Sequence, residues 1–187
     1  DMAFGAPNAN GASGQVSVVL GAQNIGNYGQ YNLTNAINIT NSGAGSNLGS
    51  VIAAAGDFNG DSYEDFLITE KYGSYNGSAN AQTGVVYLIY GKSTASFTSF
   101  DLGSTWGTDS FDTSRGIRFY GENTWDYAGF SASSASDVNG DGYDDILISA
   151  EGYNNEGRVY LIYGGAGYTD PVELGQIGVN GYGVIID

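Results

Sequence analysis

Two nonapeptides with the same pattern of oxygen-bearing side chains occur in this chain of 187 residues. They read DFNGDSYED at 57–65 and DVNGDGYDD at 137–145. In both, Asp or Asn occupies positions 1, 3, 5 and 9, with Gly at position 4 and Tyr at position 7. This spacing can curl a short loop around a hard cation, with the position-7 carbonyl free to join the side-chain oxygens. The two segments are therefore predicted to bind calcium.

Other uses of these carboxylates are disfavoured by the sequence. Paired acids serve glycosidases, but here the acids are periodic, interleaved with Asn and close together along the chain. An EF-hand needs Glu at position 12, where this chain has Ile68 and Ile148. The chain has no His and no Cys, which excludes a His general base, a thiolate nucleophile and a zinc site of the usual kind. We expect a protein without enzymatic activity.

Charge and short motifs indicate the compartment and the partners. Lys and Arg total 5 against 20 Asp and Glu, a formal charge of −15, which disfavours nucleic acid and anionic membranes as partners. No apolar run approaches the roughly 20 residues of a membrane helix, so membrane insertion is not expected. Glycosylation sequons begin at Asn32, Asn38 and Asn76. Loop calcium sites of modest affinity also fill where calcium is abundant, so we expect an extracellular or cell-surface protein.

The elements that would position the loops are short strands. Many of the 31 Gly residues separate brief Val, Ile, Leu and Tyr runs, and no stretch keeps a helical period, so the fold class is predicted to be all-β. Each loop runs directly into an apolar strand and then into a strand that starts and ends with Gly. The Gly-bounded strands are 14–21, 84–91 and 157–164.

These elements recur together, which divides the chain into repeats. Residues 1–48 form a partial repeat that begins at the end of a calcium loop, and 49–128 form a second repeat. Residues 129–187 form a third repeat and include the start of a further outer strand. Four antiparallel strands in a unit of this length predict a β-propeller-type blade. A β-sandwich is the alternative architecture, but it does not explain why the loop recurs at the same place.

The Phe-Gly-Ala-Pro segment at 4–7, the following Gly14 and the two acidic loops resemble the FG-GAP repeats of integrin α-subunit β-propellers. The resemblance implies propeller blades that hold Ca²⁺ in each loop, and roles in adhesion, in matrix and surface proteins or as non-catalytic parts of secreted enzymes. The ligands it implies are the side chains of Asp57, Asn59, Asp61 and Asp65 with the Tyr63 carbonyl, and those of Asp137, Asn139, Asp141 and Asp145 with the Tyr143 carbonyl. The chain departs from the family pattern at Ser62, where the second loop has Gly142.

Fewer than three complete repeats leave the ring incomplete unless other chain segments or other copies complete it. We therefore expect a calcium-stabilised extracellular structural or adhesion protein, part of a longer array or of an end-to-end fibre. Its partners would be other copies or neighbouring repeats, with glycans or a protein ligand as further candidates. The alternative is a non-catalytic carbohydrate-binding module of a secreted enzyme, which would use connector aromatics: Trp106, Trp125, Tyr153 and Tyr168.

Overall fold

The computed structural model describes residues 2–19, 36–41, 47–74, 81–93, 96–103 and 111–187. In these residues, strands build three sheets, and the helical segments are single short turns of three or four residues. The prediction of an all-β fold is therefore confirmed. No helix in the described ranges is long and apolar enough to cross a membrane. The sequons at Asn32 and Asn76 and the side chain of Trp106 lie outside the described residues.

The strands are short because Gly and polar turns interrupt every apolar run. Their bounds are β1 Met2–Gly5, β2 Gln15–Val19, β3 Ile37–Thr40, β4 Ile52–Gly56, β5 Asp65–Glu70, β6 Val85–Ile89, β7 Phe100–Asp101, β8 Gly116–Tyr120, β9 Ala128–Ser136, β10 Asp145–Ala150, β11 Arg158–Ile162, β12 Val172–Glu173 and β13 Gly183–Ile186.

Each sheet is a blade, and we number the blades along the chain. Blade 2 has β4, β5, β6 and β8 in antiparallel order, and blade 3 has β9, β10, β11 and β13 in the same arrangement. Blade 1 has three antiparallel strands among the described residues, β1, β2 and β3. The prediction of four-stranded blades, with fewer than three complete, is confirmed. The predicted repeat starts at residues 49 and 129 lie just before β4 and at the second residue of β9.

Two very short parallel strands connect successive blades. Strand β7 belongs to the connector between β6 and β8 of blade 2, yet it pairs with β3 of blade 1. Strand β12 belongs to the connector between β11 and β13 of blade 3, yet it pairs with β8 of blade 2. Each connector therefore reaches back and extends the outer edge of the preceding blade, a feature that the sequence pattern did not predict.

The core consists of two apolar layers between blades. Alternate residues of a strand point to opposite faces of its sheet. In β6, Val85, Tyr87 and Ile89 belong to the layer shared with blade 1, and Val86 and Leu88 to the layer shared with blade 3. All five residues of β6 are buried, so blade 2 is covered on both faces and fixes its neighbours on either side.

Candidate metal-binding loops

The two acidic loops occupy equivalent places in blades 2 and 3. Residues 57–65 connect the end of β4 to the start of β5, and residues 137–145 connect β9 to β10. The two strands that flank each loop are antiparallel neighbours. Each loop is therefore a tight connection between hydrogen-bonded strands, and its ends are held in place by the sheet.

In the first loop, the side chains at positions 1, 3 and 5 fold back over the loop backbone. The two carboxylate oxygens of Asp57 accept hydrogen bonds from the amides of Asp61 and Ser62, both at 2.9 Å. Asn59 Oδ1 accepts from the Asp61 amide at 2.9 Å, and Asp61 Oδ1 accepts from the Tyr63 amide at 2.9 Å. Three oxygen-bearing side chains are thus ordered within five residues.

The second loop repeats these hydrogen bonds. Asp137 accepts from the amides of Asp141 at 3.1 Å and Gly142 at 2.9 Å. Asn139 Oδ1 accepts from the Asp141 amide at 2.9 Å, and Asp141 Oδ1 accepts from the Tyr143 amide at 3.0 Å. Since the two loops sit in different surroundings, this shared geometry is a local property of the nonapeptide.

The backbone of the loops turns through the left-handed region at positions 4 and 6. The φ angles are 76° at Gly60 and 79° at Gly140, and 69° at Ser62 and 93° at Gly142. Glycine adopts these angles without steric cost, whereas a residue with a Cβ atom is disfavoured there. The departure of Ser62 from the family pattern therefore strains the first loop at this position.

The carboxylates at position 9 anchor the loops to the blade. Asp65 and Asp145 are 2% and 0% exposed. Asp65 accepts hydrogen bonds from the amides of Phe58 at 3.1 Å and Gly91 at 2.8 Å. Asp145 accepts from the amides of Val138 and Gly164, both at 2.8 Å. Sequence reasoning missed these two glycine donors, although both glycines end a matched aromatic strand.

Burial raises the pKa of Asp65 to about 7, and the neighbouring charge of Asp61 adds to the rise. The amide hydrogen bonds from Gly91 and Phe58 act in the opposite direction and lower this pKa. Because desolvation penalises an ionised carboxyl group, a nearby cation would favour its charged form. The first loop thus has a buried acid whose ionisation is disfavoured by burial and by the charge of Asp61, against the opposing effect of the amides.

The donor set of each loop suits a hard cation because every candidate ligand atom is an oxygen. The described residues nevertheless contain no group of three or more Asp, Glu, His or Cys side chains arranged to hold a metal ion. In each loop, the candidate ligands at positions 1, 3 and 5 lie close together along the chain. By contrast, both oxygens of the position-9 carboxylate already accept hydrogen bonds from backbone amides. A carboxylate has about four lone-pair sites, so one that accepts two amide hydrogen bonds still has lone pairs for a metal ion. Ligation by the position-9 acids and by the Tyr63 and Tyr143 carbonyls stays a prediction.

The first loop is embedded between blades 2 and 3. The Asp57 amide donates to Asp144 Oδ2 at 2.9 Å, and the Phe58 carbonyl accepts from the Gly165 amide at 2.7 Å. The Phe58 side chain is fully buried, with its ring centroid 5.5 Å from that of Tyr168. A Cβ atom on Gly56 would lie 2.2 Å from Asp144 Oδ2, so this approach requires glycine. Blade 3 therefore holds the first two positions of the loop.

The second loop has no described blade beyond it. Val138, at the position of Phe58, is 53% exposed. An added Cβ at Gly140 or Gly142 would meet no atom within 4 Å. Position 8 carries an acid in both loops, Glu64 in the first and Asp144 in the second. This shared acid was the available signal for the interblade contact of Asp144, which sequence reasoning missed.

Other buried charged and phenolic groups pair within blade 2 or join blade 2 to blade 3. Tyr87 donates to Glu70 Oε2 at 2.9 Å, and Tyr160 donates to Glu122 Oε1 at 2.6 Å. In both cases the tyrosine pKa is raised above its usual value. Burial is the largest cause, and the neighbouring carboxylate is the second largest. Arg118 of blade 2 pairs with Asp170 of the blade 3 connector at 2.5 Å, and both side chains are 4% exposed. These groups therefore have structural partners within the protein.

The predicted sites outside the loops are only partly described. Asn38 lies on β3, where its Oδ1 accepts from Gln15 Nε2 and Ser17 Oγ, both at 2.9 Å. Its glycosylation, like that of Asn32 and Asn76, stays a prediction. Among the connector aromatics, Tyr168 is packed against the core beside Phe58, and Tyr153 is covered by the Arg158 guanidinium at 3.7 Å. Tyr168 is half-buried there, and sugar stacking on the connector aromatics stays a prediction.

Comparison with known families agrees with this geometry. Residues 48–89 and 128–162 match the family model of the FG-GAP repeat. These two segments are FG-GAP repeats. The two matches begin at the inner strands β4 and β9 and end at β6 and β11, so each covers one acidic loop and the strands that flank it. FG-GAP repeats occur in extracellular adhesion-type proteins and serve as structural and binding modules, which are generally non-catalytic.

Proposed function

We propose that this FG-GAP chain is a non-enzymatic, calcium-stabilised structural or adhesion module that works outside the cell. The observation that supports this proposal is the recurrence of one loop geometry, with oxygen donors at positions 1, 3 and 5 ordered in the same way in blades 2 and 3. Bound Ca²⁺ would supply positive charge to a surface whose formal charge is −15.

The protein's own contribution is to hold the donors in place. The first part of each loop contains the donors at positions 1, 3 and 5, which in blade 2 are Asp57, Asn59 and Asp61. The position-9 acids connect this part of the loop to the strand ends by hydrogen bonds. The first loop also contacts blade 3 through its Asp57 amide and Phe58 carbonyl. An ion that stiffens this loop would therefore also stiffen the junction between the two blades.

We further propose that the chain joins neighbouring repeats or other copies into a longer array. The outer face of blade 3 supports this, because Val184 and Ile186 on β13 are 42% and 48% exposed. The equivalent strand of blade 2 places Ile117 and Phe119 at 3% and 0% exposure against blade 3. An apolar sheet face of this kind typically marks an interaction surface.

Thermal unfolding with and without a chelator tests the metal proposal. We expect excess EDTA to lower the melting temperature by on the order of 10 °C, because an ion that binds only the folded state stabilises it by mass action. Asp57→Ala and Asp137→Ala should each remove part of that shift. Glu151→Ala, an acidic change outside the loops, is the matched control and should leave the shift intact.

Two results would contradict the metal proposal. One is an identical melting curve in calcium and in chelator. The other is equal stabilisation by magnesium and calcium, since Mg²⁺ demands a stricter octahedral geometry that a flexible loop of this kind does not enforce. Sedimentation velocity in calcium tests the array separately: a single monomer peak at every accessible concentration would exclude self-association of this chain.

One exposed side chain favours the second candidate function, a carbohydrate-binding accessory module. Trp125 is 58% exposed in the connector before β9, and a face of indole suits stacking on a sugar ring. Glycan binding that is lost in Trp125→Ala and retained in Val179→Ala, a change at another exposed apolar residue, would support this candidate. Binding that is insensitive to Trp125 would remove its structural basis.

A further inference from the structure

A group of aromatic side chains lies at the junction of blades 2 and 3. Its members are Tyr72 after β5, Trp125 and Tyr127 in the connector before β9, and Phe130 near the start of β9. This is the end of the strands away from the acidic loops, which precede β5 and follow β9. Trp125 and Phe130 are 58% and 44% exposed, and the two tyrosines are half-buried. We call these residues the junction aromatics.

Contacts across the junction connect the rings. The Tyr72 and Tyr127 rings meet edge to face, with their centroids 5.8 Å apart. Lys71 Nζ lies 4.8 Å from the centroid of Tyr72 and 5.1 Å from that of Phe130. Edge-to-face pairs and cation–π contacts both depend on ring orientation. The ring after β5 of blade 2 and the ring on β9 of blade 3 are therefore held in a defined arrangement by one lysine.

Two of the junction aromatics have backbone angles that suit glycine or asparagine. The φ angle is 67° at Trp125 and 54° at Tyr127. A residue other than glycine is uncommon in this left-handed region, and a bulky side chain is disfavoured there by its Cβ atom. Strained backbone of this kind clusters at functional sites, where a binding role retains it. Both residues are therefore candidates for such a role.

The segment before blade 2 makes the same turn without an aromatic residue. Asn47 and Tyr127 each lie two residues before the glycine that opens a repeat, and φ at these two glycines is 85° and 84°. Asn47 has a φ of 59°, and both amides donate to a backbone carbonyl of the preceding blade, at 3.0 and 3.3 Å. At the position of Trp125, the sequence of the earlier segment has Gly45. The turn itself therefore does not require an aromatic residue at the position of Tyr127.

The surroundings of the rings favour a neutral sugar as the ligand. The exposed neighbours along the chain are Asn123, Thr124 and Ser131, all with short, uncharged polar side chains. A flat aromatic face can stack on the C–H face of a sugar ring, and amide and hydroxyl groups can both donate to and accept from its hydroxyls. The formal charge of −15 disfavours a sulfated or uronic-acid chain.

We propose that the junction aromatics bind a neutral oligosaccharide, with one sugar ring stacked on Trp125 and another on Phe130. The short polar side chains beside them hydrogen-bond the hydroxyl groups. This inference rests on the second candidate function proposed above, and it adds the neutral character of the glycan and the contribution of both blades. Because the rings come from both sides of a junction, the site exists only where two repeats pack together.

Isothermal titration calorimetry of the full chain with cellohexaose, mannohexaose and chitohexaose tests the proposal. We expect saturable binding of at least one of these probes at or below millimolar concentration. A heparin hexasaccharide is the anionic comparison and should bind at least ~10-fold more weakly. No saturation with any neutral probe would overturn both this site and the candidate function. Tighter binding of heparin would overturn the neutral assignment.

Trp125→Gly separates a binding role from a structural one. Glycine accommodates the φ of 67°, so the melting temperature should rise or stay unchanged. Binding of the neutral probe should nevertheless weaken at least ~10-fold, because the stacking face is lost. Val179→Ala, at a residue that is 77% exposed elsewhere, is the control and should bind like the unmodified protein. A lower melting temperature with unchanged binding would make Trp125 structural and refute the site.

Phe130→Ala decides whether both blades contribute. The Phe130 side chain is exposed, so the variant should keep its melting temperature while probe binding weakens several-fold. Binding that is lost in Trp125→Gly but unchanged in Phe130→Ala would refute the two-blade site and retain the candidate function. If Trp125→Gly instead abolishes self-association in sedimentation and no probe binds, the rings serve a protein contact and the proposal is wrong.

Discussion

The loops at 57–65 and 137–145 have almost the same sequence and the same internal hydrogen bonds, but opposite surroundings. The first is enclosed by blade 3, with Phe58 at position 2 fully buried. The second projects from the last described blade, with Val138 at position 2 53% exposed. The conformation of an FG-GAP loop is therefore encoded locally, whereas its contribution to stability depends on whether another blade covers it.

The largest predicted difference concerns position 2. Phe58→Ala removes a fully buried ring, which costs about 3–5 kcal/mol in the free energy of unfolding. Val138→Ala removes a half-exposed side chain and should change it by less than about 0.5 kcal/mol. Urea denaturation of the two variants measures both values. Comparable losses would show that the two loops are equally enclosed.

A smaller difference is predicted at position 8. Asp144→Ala leaves the Asp57 amide without its 2.9 Å acceptor, and losing a partner at a partly buried group costs about 1–3 kcal/mol. Glu64→Ala, the matched change in the first loop, should be nearly neutral because the Glu64 side chain is exposed. The comparison uses urea midpoints at constant m-value. A neutral Asp144→Ala would mean that the interblade hydrogen bond does not contribute.

The smallest predicted effects come from position 6. Ser62→Gly should stabilise the protein by up to about 1 kcal/mol, because the residue has a φ of 69° and glycine removes the Cβ strain. Gly142→Ser should destabilise the protein by a similar amount, since φ there is 93°. Thermal melts of the reciprocal pair should shift in opposite directions. Shifts of the same sign would show that backbone strain does not distinguish the loops.

Much of the fold could be predicted because its determinants are local. The apolar runs, the bounding glycines and the acidic spacing each recur, and strands β5, β6, β10 and β11 follow them. The ordering of Asp57, Asn59 and Asp61 over the loop backbone is also local, since the same bonds form in both blades.

The features that could not be predicted depend on neighbouring blades. Phe58 and Val138 occupy the same position of the same motif, so no property of the nonapeptide separates the buried residue from the exposed one. The position-9 acids were expected to face an ion, and the structure shows that they also accept amides from residues 19 and 26 positions away, as with Asp145 to Gly164 and Asp65 to Gly91. Strands β7 and β12 have two residues each, too few to show the alternation of apolar and polar residues from which a strand is predicted.

The backward reach of the connectors has a mechanical consequence. Strand β7 lies at the outer edge of blade 1, and β12 lies at the outer edge of blade 2. A blade therefore cannot separate from the preceding blade unless the pairing of this strand breaks. A force applied to blade 3 would act first on the β12–β8 pairing and then on the β7–β3 pairing, so it would be transmitted toward blade 1. Rupture under force should therefore involve adjoining blades together.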